Sequence, residues 1–472
     1  MNGADGTADG LRGRRVAVLG GGLAGLTAAL DAAAAGAQVQ LFEAKPRLGG
    51  LTHSFTRGDL VVDNGQHVFL RCCTRYRALL DRLGVADQVH LQPRLDVEIR
   101  RPGVARPARL RRNNLPAPLH LGNSLLGYAP LSPPARVRAV LAAVALSRVD
   151  VADPATDRRS FGDWLAAHGQ DPGAVAALWD LVGVATLNAR AADASLALAA
   201  YVFQQGLLTD RRAGDIGWSR VPLQQLHGDA AERALLAAGA TVTTGTKVCG
   251  LQQQESGWSI TVRAGTEPES EVAADAVVVA LPPKATEALL PDGAVGPAAG
   301  WAQRLGTVPI VNVHLRYDRP VIGSDFVAGL DSPVQWIFDR SRAAGAPAGR
   351  YVAISLSAAQ EFVDLPTGQM RELFVPAVAA LLPAAVGAVV EDFFVTRERE
   401  ATFAPAPGVR ANRPGAATAL PGLVLAGAHT DTGWPATMEG AVRSGEAAIA
   451  ALLRSAVPVT ATRPVARTGE PA

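Results

Sequence analysis

The sequence has little cysteine and few aromatic side chains. Among its 472 residues there are three cysteines, and aromatic residues make up 5%. Cys72 and Cys73 are adjacent and Cys249 is distant in sequence, so the cysteines form neither a disulfide framework nor a metal-ligand spacing. The sequence therefore predicts a reducing compartment and no metal site.

Strong charge imbalance and long uninterrupted apolar runs are also missing. The formal net charge of +2 gives no argument for a nucleic-acid partner. The longest apolar stretch, residues 373–390, contains two prolines and a glycine, so we expect a core helix and then a strand instead of a membrane span. Residues 1–15 have no apolar segment of the kind that signal peptides carry. These absences predict a folded cytoplasmic protein.

A glycine motif follows the first apolar strand. Gly20, Gly22 and Gly25 have the spacing GxGxxG and open an alanine-rich helix, and Glu43 ends the next strand. Gly20 allows a tight turn, Gly22 lets the backbone approach a pyrophosphate, and Gly25 lets the helix pack closely on the strand. The carboxylate of Glu43 can accept hydrogen bonds from a ribose hydroxyl. The pattern predicts a dinucleotide-binding site.

The loop after Glu43 favours FAD over NAD. It reads Ala44-Lys-Pro-Arg47-Leu-Gly49-Gly50. Arg47 can stabilise the pyrophosphate and ribityl region of FAD, and the two glycines leave room on the flavin side. The alternative is an ordinary surface loop.

A polar turn follows the strand predicted at residues 60–62. It contains Asp63, Gly65, Gln66 and His67 and is well placed to face a ring system. His67 is a candidate proton donor. In the alternative interpretation, which we favour, His67 and Asp63 fix the loop by hydrogen bonds.

The C-terminal part of the chain contains a matching strand, loop and helix. The strand at 423–427 ends in Gly427, and the helix is opened by Pro435 to Thr437. A dinucleotide site near one end of the chain and a strand, loop and helix near the other are what a protein needs to hold both halves of FAD.

These segments divide the chain into two interleaved domains. We predict an α/β, Rossmann-like FAD-binding domain from residues 13–90, 216–290 and 415–456. A mixed α+β substrate domain is predicted from residues 91–215, interpreted as arginine-rich loops followed by helices, and from residues 291–414, interpreted mainly as antiparallel strands.

Two finer expectations concern strands and termini. One strand is expected at 242–251, paired with a second at 258–262. Residues 1–12 and 457–472 are rich in Gly, Ala, Pro and Thr and are predicted to be disordered tails.

Four stretches together resemble the hydroxysqualene dehydroxylases, FAD enzymes of the amine oxidase and phytoene desaturase superfamily. They are residues 43–50, 63–70, 185–188 and 430–445. The resemblance extends over residues 14–455. It implies an amine oxidase-like two-domain fold and a reductive dehydroxylation. Reduced FAD would give a hydride to hydroxysqualene, and water would leave to yield squalene for hopanoid or carotenoid synthesis.

The resemblance also implies the cofactor contacts. Val248 would contact the adenine through its backbone, and Thr437 with Met438 would face the flavin pyrimidine. A helix that begins there directs its free N–H groups at the negative charge of a reduced flavin. With the glycine motif, the predicted FAD-binding residues are Gly20, Gly22, Leu23, Ala24, Gly25, Glu43, Ala44, Arg47, Gly49, Gly50, Gly65, Gln66, Val248, Gly427, Thr437 and Met438.

One position departs from the family pattern, and the proton donor stays open. Family members often have an aspartate after the glycine that ends the last strand, where it contacts the phosphate and ribityl side of FAD. Here the residue is Ala428, so FAD is held less tightly or His429 or Asp431 replaces the contact. The candidate proton donors, each also interpretable as a flavin contact or a loop-fixing residue, are His67, His429, Asp431 and Glu439.

The middle of the chain is expected to line a long apolar cavity for a C30 polyene. Its candidate lining residues, any one of which is more simply a core residue, are Trp179, Leu181, Leu187, Tyr201, Phe203, Trp336 and Phe338. Seven arginines crowd residues 94–112, ahead of an apolar segment at 115–128. This stretch would dock on anionic lipid at the inner face of the membrane, or it is a solvated loop packed on the second domain.

Other functions stay open on the sequence alone. A carotenoid desaturase or an amine oxidase on the same fold would use FAD in the oxidative direction, although near the flavin motif only Trp434 could serve the aromatic cage of an amine oxidase. A non-catalytic, FAD-stabilised protein would instead hold prenyl intermediates or pass them to a squalene-forming synthase. The reductive reaction also needs an external electron donor, which the sequence does not identify.

Overall fold

The structure is a computed structural model, and it describes residues 10–456. Its strands are β1 (Arg15–Leu19), β2 (Gln38–Phe42), β3 (Ser54–Arg57), β4 (Leu60–Asp63), β5 (Val68–Leu70), β6 (Val89–Leu91), β7 (Asp96–Arg100), β8 (Ala108–Arg111), β9 (Ile216–Ser219), β10 (Thr241–Thr243), β11 (Thr246–Gln254), β12 (Gly257–Ala264), β13 (Ser270–Ala274), β14 (Ala276–Val279), β15 (Val308–Tyr317), β16 (Phe326–Gly329), β17 (Trp336–Asp339), β18 (Tyr351–Leu356), β19 (Val390–Thr402) and β20 (Leu423–Leu425).

The helices lie mainly between the strands. They are α1 (Leu23–Ala34), α2 (Thr74–Arg82), α3 (Gly122–Leu126), α4 (Pro133–Leu146), α5 (Pro154–Asp157), α6 (Phe161–Ala167), α7 (Pro172–Ala174), α8 (Asp180–Leu187), α9 (Leu196–Phe203), α10 (Ala230–Ala237), α11 (Pro283–Leu289), α12 (Trp301–Leu305), α13 (Ser341–Ala344), α14 (Thr367–Leu381) and α15 (Met438–Ala456). A π-helical turn at Val175–Trp179 joins α7 to α8, and another at Gln225–Asp229 leads into α10.

A five-stranded parallel sheet has the order β10-β2-β1-β14-β20. Its central strands are apolar on both faces, as a parallel sheet covered on both sides requires. Val16 and Val18 of β1 pack on the side of α1 and α15, whereas Ala17 and Leu19 pack on the antiparallel sheet β11-β12-β13. This layered arrangement confirms the predicted Rossmann-like α/β fold.

A second, seven-stranded sheet has the order β19-β15-β18-β17-β16-β7-β8. Its pairs are antiparallel except for β16 with β7. Helix α14 covers one face through Met370, Phe374 and Val378, which are buried with Val313 and Ile354 of the sheet. The strands of this sheet come from residues 96–111 and 308–402.

Several predicted elements are confirmed at nearly the predicted positions. The helix at Phe161–Ala167 and the strand at Val308–Tyr317 are present. The apolar stretch 373–390 contains the end of helix α14 and leads into strand β19. In the part of the chain that the structure describes, no helix is both long and apolar enough to cross a membrane.

Two predicted elements were wrong. The single strand expected at 242–251 is two strands, because Gly245, with a φ of +67°, turns the chain between β10 in the parallel sheet and β11 in the antiparallel one. The arginine-rich loops expected after residue 91 include the hairpin of β7 and β8. Val97 and Leu110 of this hairpin are buried while Arg109 and Arg111 face solvent, an alternation that the density of arginine hid.

The predicted tails at residues 1–12 and 457–472 lie almost wholly outside the described residues. Residues 1–9 and 457–472 lie outside the described residues. Leu11, which we had placed in the first tail, is fully buried against the parallel-sheet core. The packed part of the chain therefore begins before the predicted position 13.

Candidate functional site at the carboxyl edge of the parallel sheet

The carboxyl ends of the five parallel strands meet at one edge of the sheet. Gly20 follows β1, Glu43 follows β2, and Gly427 lies two residues after β20. Open parallel sheets bind their ligands at this edge. Residues from opposite ends of the chain therefore lie at one candidate cofactor site.

The glycine motif forms the turn from β1 into α1. Gly20 has a φ of +112°, and a Cβ atom there would lie 2.5 Å from the carbonyl oxygen of Ala280. A Cβ atom at Gly25 would lie 1.9 Å from the carbonyl oxygen of Gly20, so a larger residue cannot fit. At Gly22 the nearest atom to such a Cβ, the Cα of Gly50, is 3.9 Å away. The first turn of α1 is thus approachable at Gly22 and closed at the other two glycines.

The N-terminus of α1 suits an anion. Gly22 is the N-cap residue and no side chain caps this 12-residue helix, so its first N–H groups can bind a pyrophosphate. Leu23 and Ala24, which are predicted FAD contacts, form the first turn and have buried side chains. Any contact they make with a cofactor would be through the backbone.

Glu43 holds the glycine loop from the end of β2. One carboxylate oxygen accepts a hydrogen bond from the N–H of Gly21 (2.7 Å), and the other accepts one from the N–H of Lys45 (2.8 Å). Each oxygen keeps a second lone pair that can accept from a ribose hydroxyl. Next to it in sequence, Ala44 is exposed, and Arg47 farther along the loop is half-buried.

The second glycine pair docks on the first glycine loop. Gly49 donates its N–H to the carbonyl of Gly21 (2.8 Å). Gly50 has a φ of +55°, and a Cβ atom there would lie 2.9 Å from the Cα of Gly22. The predicted role of these glycines in leaving room for the flavin stays a prediction, and the structure shows that they also allow a close contact between two backbones.

Val248, the predicted adenine contact, lies near the start of β11. The N–H of Thr246, at the start of β11, donates to the carbonyl of Glu43 (2.9 Å). Val248 comes two residues later, at an irregularity of pairing between Val248 and Gly250. The start of β11 is thus tied to the residue expected to bind the ribose.

The turn after β20 brings His429 against Gly427. Gly427 has a φ of +146° and donates its N–H to Oγ of Ser444 (2.8 Å), and a Cβ atom at Gly427 would lie 2.4 Å from Cε1 of His429. The imidazole is stacked on Trp301, with ring centroids 5.8 Å apart. Its Nε2 is buried and has no hydrogen-bond partner among the described residues. Burial, with a smaller effect of Arg413, lowers the pKa of His429 to about 3, so the ring is neutral.

This unpartnered nitrogen is an observation that fits FAD. A buried polar atom without a partner is costly, and most such atoms in proteins have a partner. His429 directly follows Ala428, the residue that stands where the family often has an aspartate. A neutral imidazole there can exchange a hydrogen bond with a phosphate or ribityl group, so the residues present fit the cofactor.

Arg413 is a residue of this site that sequence reasoning missed. Its guanidinium, 5% exposed, donates to the carbonyl oxygens of Ala428, His429, Thr430 and Trp434 at 2.5–3.4 Å. Burial lowers its pKa to about 10, and the carboxylate of Asp431 lies 4.0 Å away. Arg413 therefore holds the loop after β20 in shape with a largely buried positive charge. No local pattern marks it among the many arginines of this chain.

Two of the candidate proton donors are engaged in structural contacts. Asp431 accepts from Nε of Arg410 (3.1 Å) and from the N–H of Gly433 (3.3 Å). Glu439 is 1% exposed, and its carboxylate accepts from the N–H of Tyr76 (2.7 Å) and from Nε of Arg443 (2.7 Å). Glu439 thus bonds the N-terminus of α2, which argues against its candidacy as an acid.

Helix α15 begins next to this loop, close to where the sequence predicted. It starts at Met438, and Oγ1 of Thr437 accepts the N–H of Gly440 (3.1 Å) as an N-cap. A Cβ atom at Gly445 would lie 2.4 Å from the carbonyl oxygen of Ala24, so α15 packs closely on α1. The two helices begin at the same edge of the sheet.

The polar turn at 63–67 is tied to its surroundings through Asp63. The Asp63 carboxylate accepts from Oγ of Ser54 (2.6 Å) and from the guanidinium of Arg340 (2.5 Å). His67 is half-buried, and its Nε2 would lie 3.3 Å from a Cβ atom at Gly65. Burial lowers the pKa of His67, and Asp63 opposes this shift. Asp63 fixes the loop as the favoured interpretation expects, and neighbouring Gln66 is half-buried in the same turn.

The predicted cavity residues separate into different groups. Trp179 and Phe203 pack on Phe161, with Leu187 in the same cluster, and are core residues. Tyr201 packs edge-on against Trp434 beside the loop after β20 (ring centroids 5.3 Å apart).

An aromatic group forms around the remaining cavity candidates. Trp336 and Phe338 pack with Phe326, and Leu181 belongs to the same cluster. Trp218, which the sequence analysis did not select, completes the group: its ring centroid lies 5.4 Å from that of Phe326. Trp218 pairs with Val68 across β9 and β5, so the group adjoins the polar turn.

The fold and the site define a flavin-dependent oxidoreductase. A family model described as flavin containing amine oxidoreductase matches residues 23–453, and the chain belongs to this family. The chain is accordingly a flavin-containing oxidoreductase with FAD as its cofactor.

Two individual relatives and one solved structure are similar to this chain along most of its length. It is 28% identical over 448 residues to a hydroxysqualene dehydroxylase of Rhodopseudomonas palustris, across 92% of this chain and 97% of that protein. It is 24% identical over 492 residues to a zeta-carotene desaturase of Synechocystis, across 93% of this chain and 97% of that protein. A crystal structure of an oxidoreductase from Methanosarcina mazei matches with a TM-score of 0.69 and 17% identity, over 92% of this chain and all of that one, which supports the fold alone.

Proposed function

We propose that the protein reduces hydroxysqualene to squalene. The observation that carries the proposal is the similarity to a hydroxysqualene dehydroxylase along nearly the whole of both chains. The four stretches that first suggested this family include the loop after β2, the polar turn and the loop that opens α15. Substrate and product are then C30 isoprenoids.

The reaction replaces a C–O bond by a C–H bond. The hydroxyl of the allylic alcohol takes a proton and leaves as water, and a hydride adds to the carbon. FAD, when bound and reduced, supplies the hydride. The protein has to hold the cofactor, exclude water and deliver the proton.

The chain provides for cofactor binding with its two helix N-termini. The uncapped first turn of α1 would bind the pyrophosphate, and Glu43 would bind the ribose. The start of α15 at Met438 would place positive partial charge beside a reduced isoalloxazine, which stabilises its negative charge. Arg413 would support this by fixing the loop that precedes α15.

His67 is the proton donor that we propose. Asp431 and Glu439 are engaged with Arg410 and Arg443. Burial lowers the pKa of both His429 and His67, but Arg413 adds to this shift at His429, whereas the carboxylate of Asp63 opposes it at His67. His67 lies on a half-buried turn beside the aromatic group that contains Trp218. An allylic cation is delocalised, so a weak acid suffices to help the hydroxyl leave.

The proposal includes partners that the chemistry requires. A squalene-forming synthase would supply the alcohol, and an external donor would reduce FAD again after each turnover. Because the substrate is a C30 isoprenoid alcohol that resides in the bilayer, contact with the inner face of the membrane is part of the proposal.

A second candidate function is carotenoid desaturation. The similarity to a zeta-carotene desaturase over 93% of the chain favours it, and it would use FAD in the opposite direction. A non-catalytic carrier of prenyl intermediates would bind FAD without any redox response to substrate.

An anaerobic measurement separates these functions. The purified protein is photoreduced, hydroxysqualene is added, and flavin absorbance is followed while lipid is extracted for mass analysis. Flavin reoxidation matched by squalene supports the dehydroxylase. Flavin that stays reduced without squalene rejects it, and bleaching of the oxidised protein by a carotene would then support the desaturase.

A further inference from the structure

Positive charge is concentrated in one continuous part of the chain. Residues 99–149 contain nine arginines and no acidic residue, a formal charge of +9 in a chain whose net charge is +2. The rest of the chain is therefore negative. Five carboxylates, on Asp96, Glu98, Asp171, Asp215 and Asp331, form ion pairs with these arginines. The segment remains positively charged after this pairing.

The same segment exposes large apolar side chains. Leu119, Leu126 and Leu141 are 63%, 60% and 64% exposed. Val104, Leu115 and Val137 are also exposed. Single exposed apolar residues are ordinary, but six within 38 residues of one basic segment form a pattern.

Contacts between the elements join the parts of the chain that carry these residues. The hairpin tip between β7 and β8 meets the residues after α3, since Val104 and Arg106 share the lining of one small cavity with Ala129 and Pro130. Oγ of Ser124 in α3 accepts the N–H of Arg111 in β8 (2.9 Å).

Arg136 extends this surface into α4. Its guanidinium donates to the carbonyl of Leu126 (2.6 Å), which joins the end of α3 to α4. Within α4, Ala135 and Ala139 are buried while Val137 and Leu141 point away from the core. The hairpin, α3 and α4, which carry most of the arginines and exposed apolar residues of this segment, are thus in contact with one another.

We propose that this arginine–leucine surface, defined by Val104, Arg106, Leu115, Leu119, Leu126, Val137 and Leu141, docks on an anionic lipid bilayer. Exposed leucines would enter the boundary between head groups and acyl chains, and arginines would meet lipid phosphates. The charge sign selects an anionic surface.

A bilayer explains both features of the surface together. Isolated leucines on the tip of a segment and the outer side of a helix suit a fluid apolar layer, and arginines among them suit phosphates on its surface. The inference rests on the proposed function in one respect: an enzyme whose substrate is dissolved in the bilayer has to reach the membrane. Lipid binding is measured without turnover, so the two can fail separately.

The test is cosedimentation of the FAD-loaded protein with vesicles. Phosphatidylcholine vesicles with and without phosphatidylglycerol are compared, for the natural chain and for L119S/L126S, which changes two exposed side chains. The matched control is L236S/V386S, because Leu236 and Val386 are 55% and 64% exposed outside this segment. A second comparison tests the charge. R106E reverses a charge on the proposed surface, and R233E is its control, since both arginines are exposed.

We expect the natural chain to bind only the vesicles that contain phosphatidylglycerol. L119S/L126S should lower the bound fraction at low lipid about tenfold or more, from the loss of two buried leucines, and R106E should also lower it. Both controls should bind like the natural chain.

Three outcomes would overturn the proposal. The first is that the natural chain does not bind vesicles that contain phosphatidylglycerol. The second is that L236S/V386S lowers the bound fraction as much as L119S/L126S does. The third is that the bound fraction is the same with and without phosphatidylglycerol. Binding of an acidic protein through the same residues, without vesicle binding, would assign the surface to a protein partner instead. Lipid binding without squalene formation would leave this inference standing and reject only the dehydroxylase.

Discussion

The imidazole of His429 lies directly against Gly427, so that a Cβ atom on the glycine would be 2.4 Å from Cε1 of the ring. The glycine therefore makes room for the histidine at the end of β20. Nε2 of this ring is buried and has no partner within residues 10–456, and the ring lies one residue from the alanine that stands where an aspartate is expected. This pair of residues gives the site a hydrogen-bonding group that Ala428 cannot provide.

Replacement of His429 by phenylalanine should weaken FAD binding. The variant keeps the stacking on Trp301 and removes the hydrogen bond, which contributes about 1 kcal/mol, or roughly fivefold in the dissociation constant. FAD titration of the apoprotein by fluorescence measures the effect. H120F is the control, because His120 is also buried and has a ring nitrogen without a partner in the described part of the chain, but it precedes α3, outside this site. Equal affinity in H429F and the natural chain would exclude the contact.

Substitutions at two glycines of the motif should have different effects, one on stability and one on FAD binding. G25A should destabilise the fold, because its Cβ would overlap the carbonyl oxygen of Gly20. G22A should leave the apoprotein stable and reduce FAD affinity, because its Cβ would enter open space where a phosphate is expected. Thermal unfolding and FAD titration separate the two. G183A is the control, since nothing lies within 4 Å of the added methyl in helix α8. A stable G25A would contradict the packing role.

Local sequence patterns were sufficient to predict the glycine motif, but not the elements around it. Gly20, Gly22, Gly25 and Glu43 lie within one βαβ unit, where spacing alone fixes their neighbours. The break at Gly245 was missed because threonine and valine, which favour strands, lie on both sides of it, so that two strands look like one. The two strands differ in the sheet that each one joins. The sheet that a strand joins is decided by its pairing with strands distant in sequence, which a local sequence pattern does not show.

Arg413 and Trp218 were missed for a related reason. Arg413 acts on carbonyl groups of a loop that begins 15 residues later, and Trp218 joins an aromatic group with Phe326 across more than a hundred residues. Their chemistry follows from long-range contacts. Glu439 was selected for its place near the flavin motif, but its partner Tyr76 lies 363 residues earlier in the chain.

Glu439 should behave as a structural residue when it is neutralised. E439Q loses the ion pair with Arg443 and weakens the bonds to the N-terminus of α2, which should cost about 1–3 kcal/mol of unfolding free energy. Urea unfolding measures this. In the fraction that remains folded, the rate of flavin reoxidation by substrate should change less than about threefold. This is small compared with the roughly hundredfold or greater loss expected when a general acid is removed. A loss of a hundredfold or more in rate with unchanged stability would restore Glu439 as the acid.

Arg413 should be needed for its geometry as well as its charge. R413K keeps one positive charge but cannot reach four carbonyl groups, so the loop after β20 should loosen. We expect weaker FAD binding and faster proteolysis of this loop in R413K. R410K is the comparison, because Arg410 is more exposed and bonds to Asp431 from the outside. Equal behaviour of the two variants would argue against a special role for Arg413.

Buried neutral histidines predict a loss of stability in acid. Burial lowers the pKa of His227, His314 and His429 to about 3, whereas an unfolded chain binds the proton near pH 6.5. The unfolded state therefore takes up more protons between these limits, and the free energy of unfolding falls as the pH drops below 6.5. Each such group contributes about 1.4 kcal/mol per pH unit in this window.

His314 offers the sharpest test of this pH dependence. Its Nδ1 lies 2.8 Å from the hydroxyl of Tyr351 and its Nε2 lies 3.1 Å from that of Thr396. H314Q should be less stable than the natural apoprotein at pH 7.5, and the difference should narrow by about 1.4 kcal/mol by pH 5.5, because glutamine takes up no proton in the unfolded state. Y351F removes one of the same hydrogen bonds without changing the histidine, so its deficit should be similar at both pH values. A constant deficit for H314Q would show that His314 is not buried as a neutral ring.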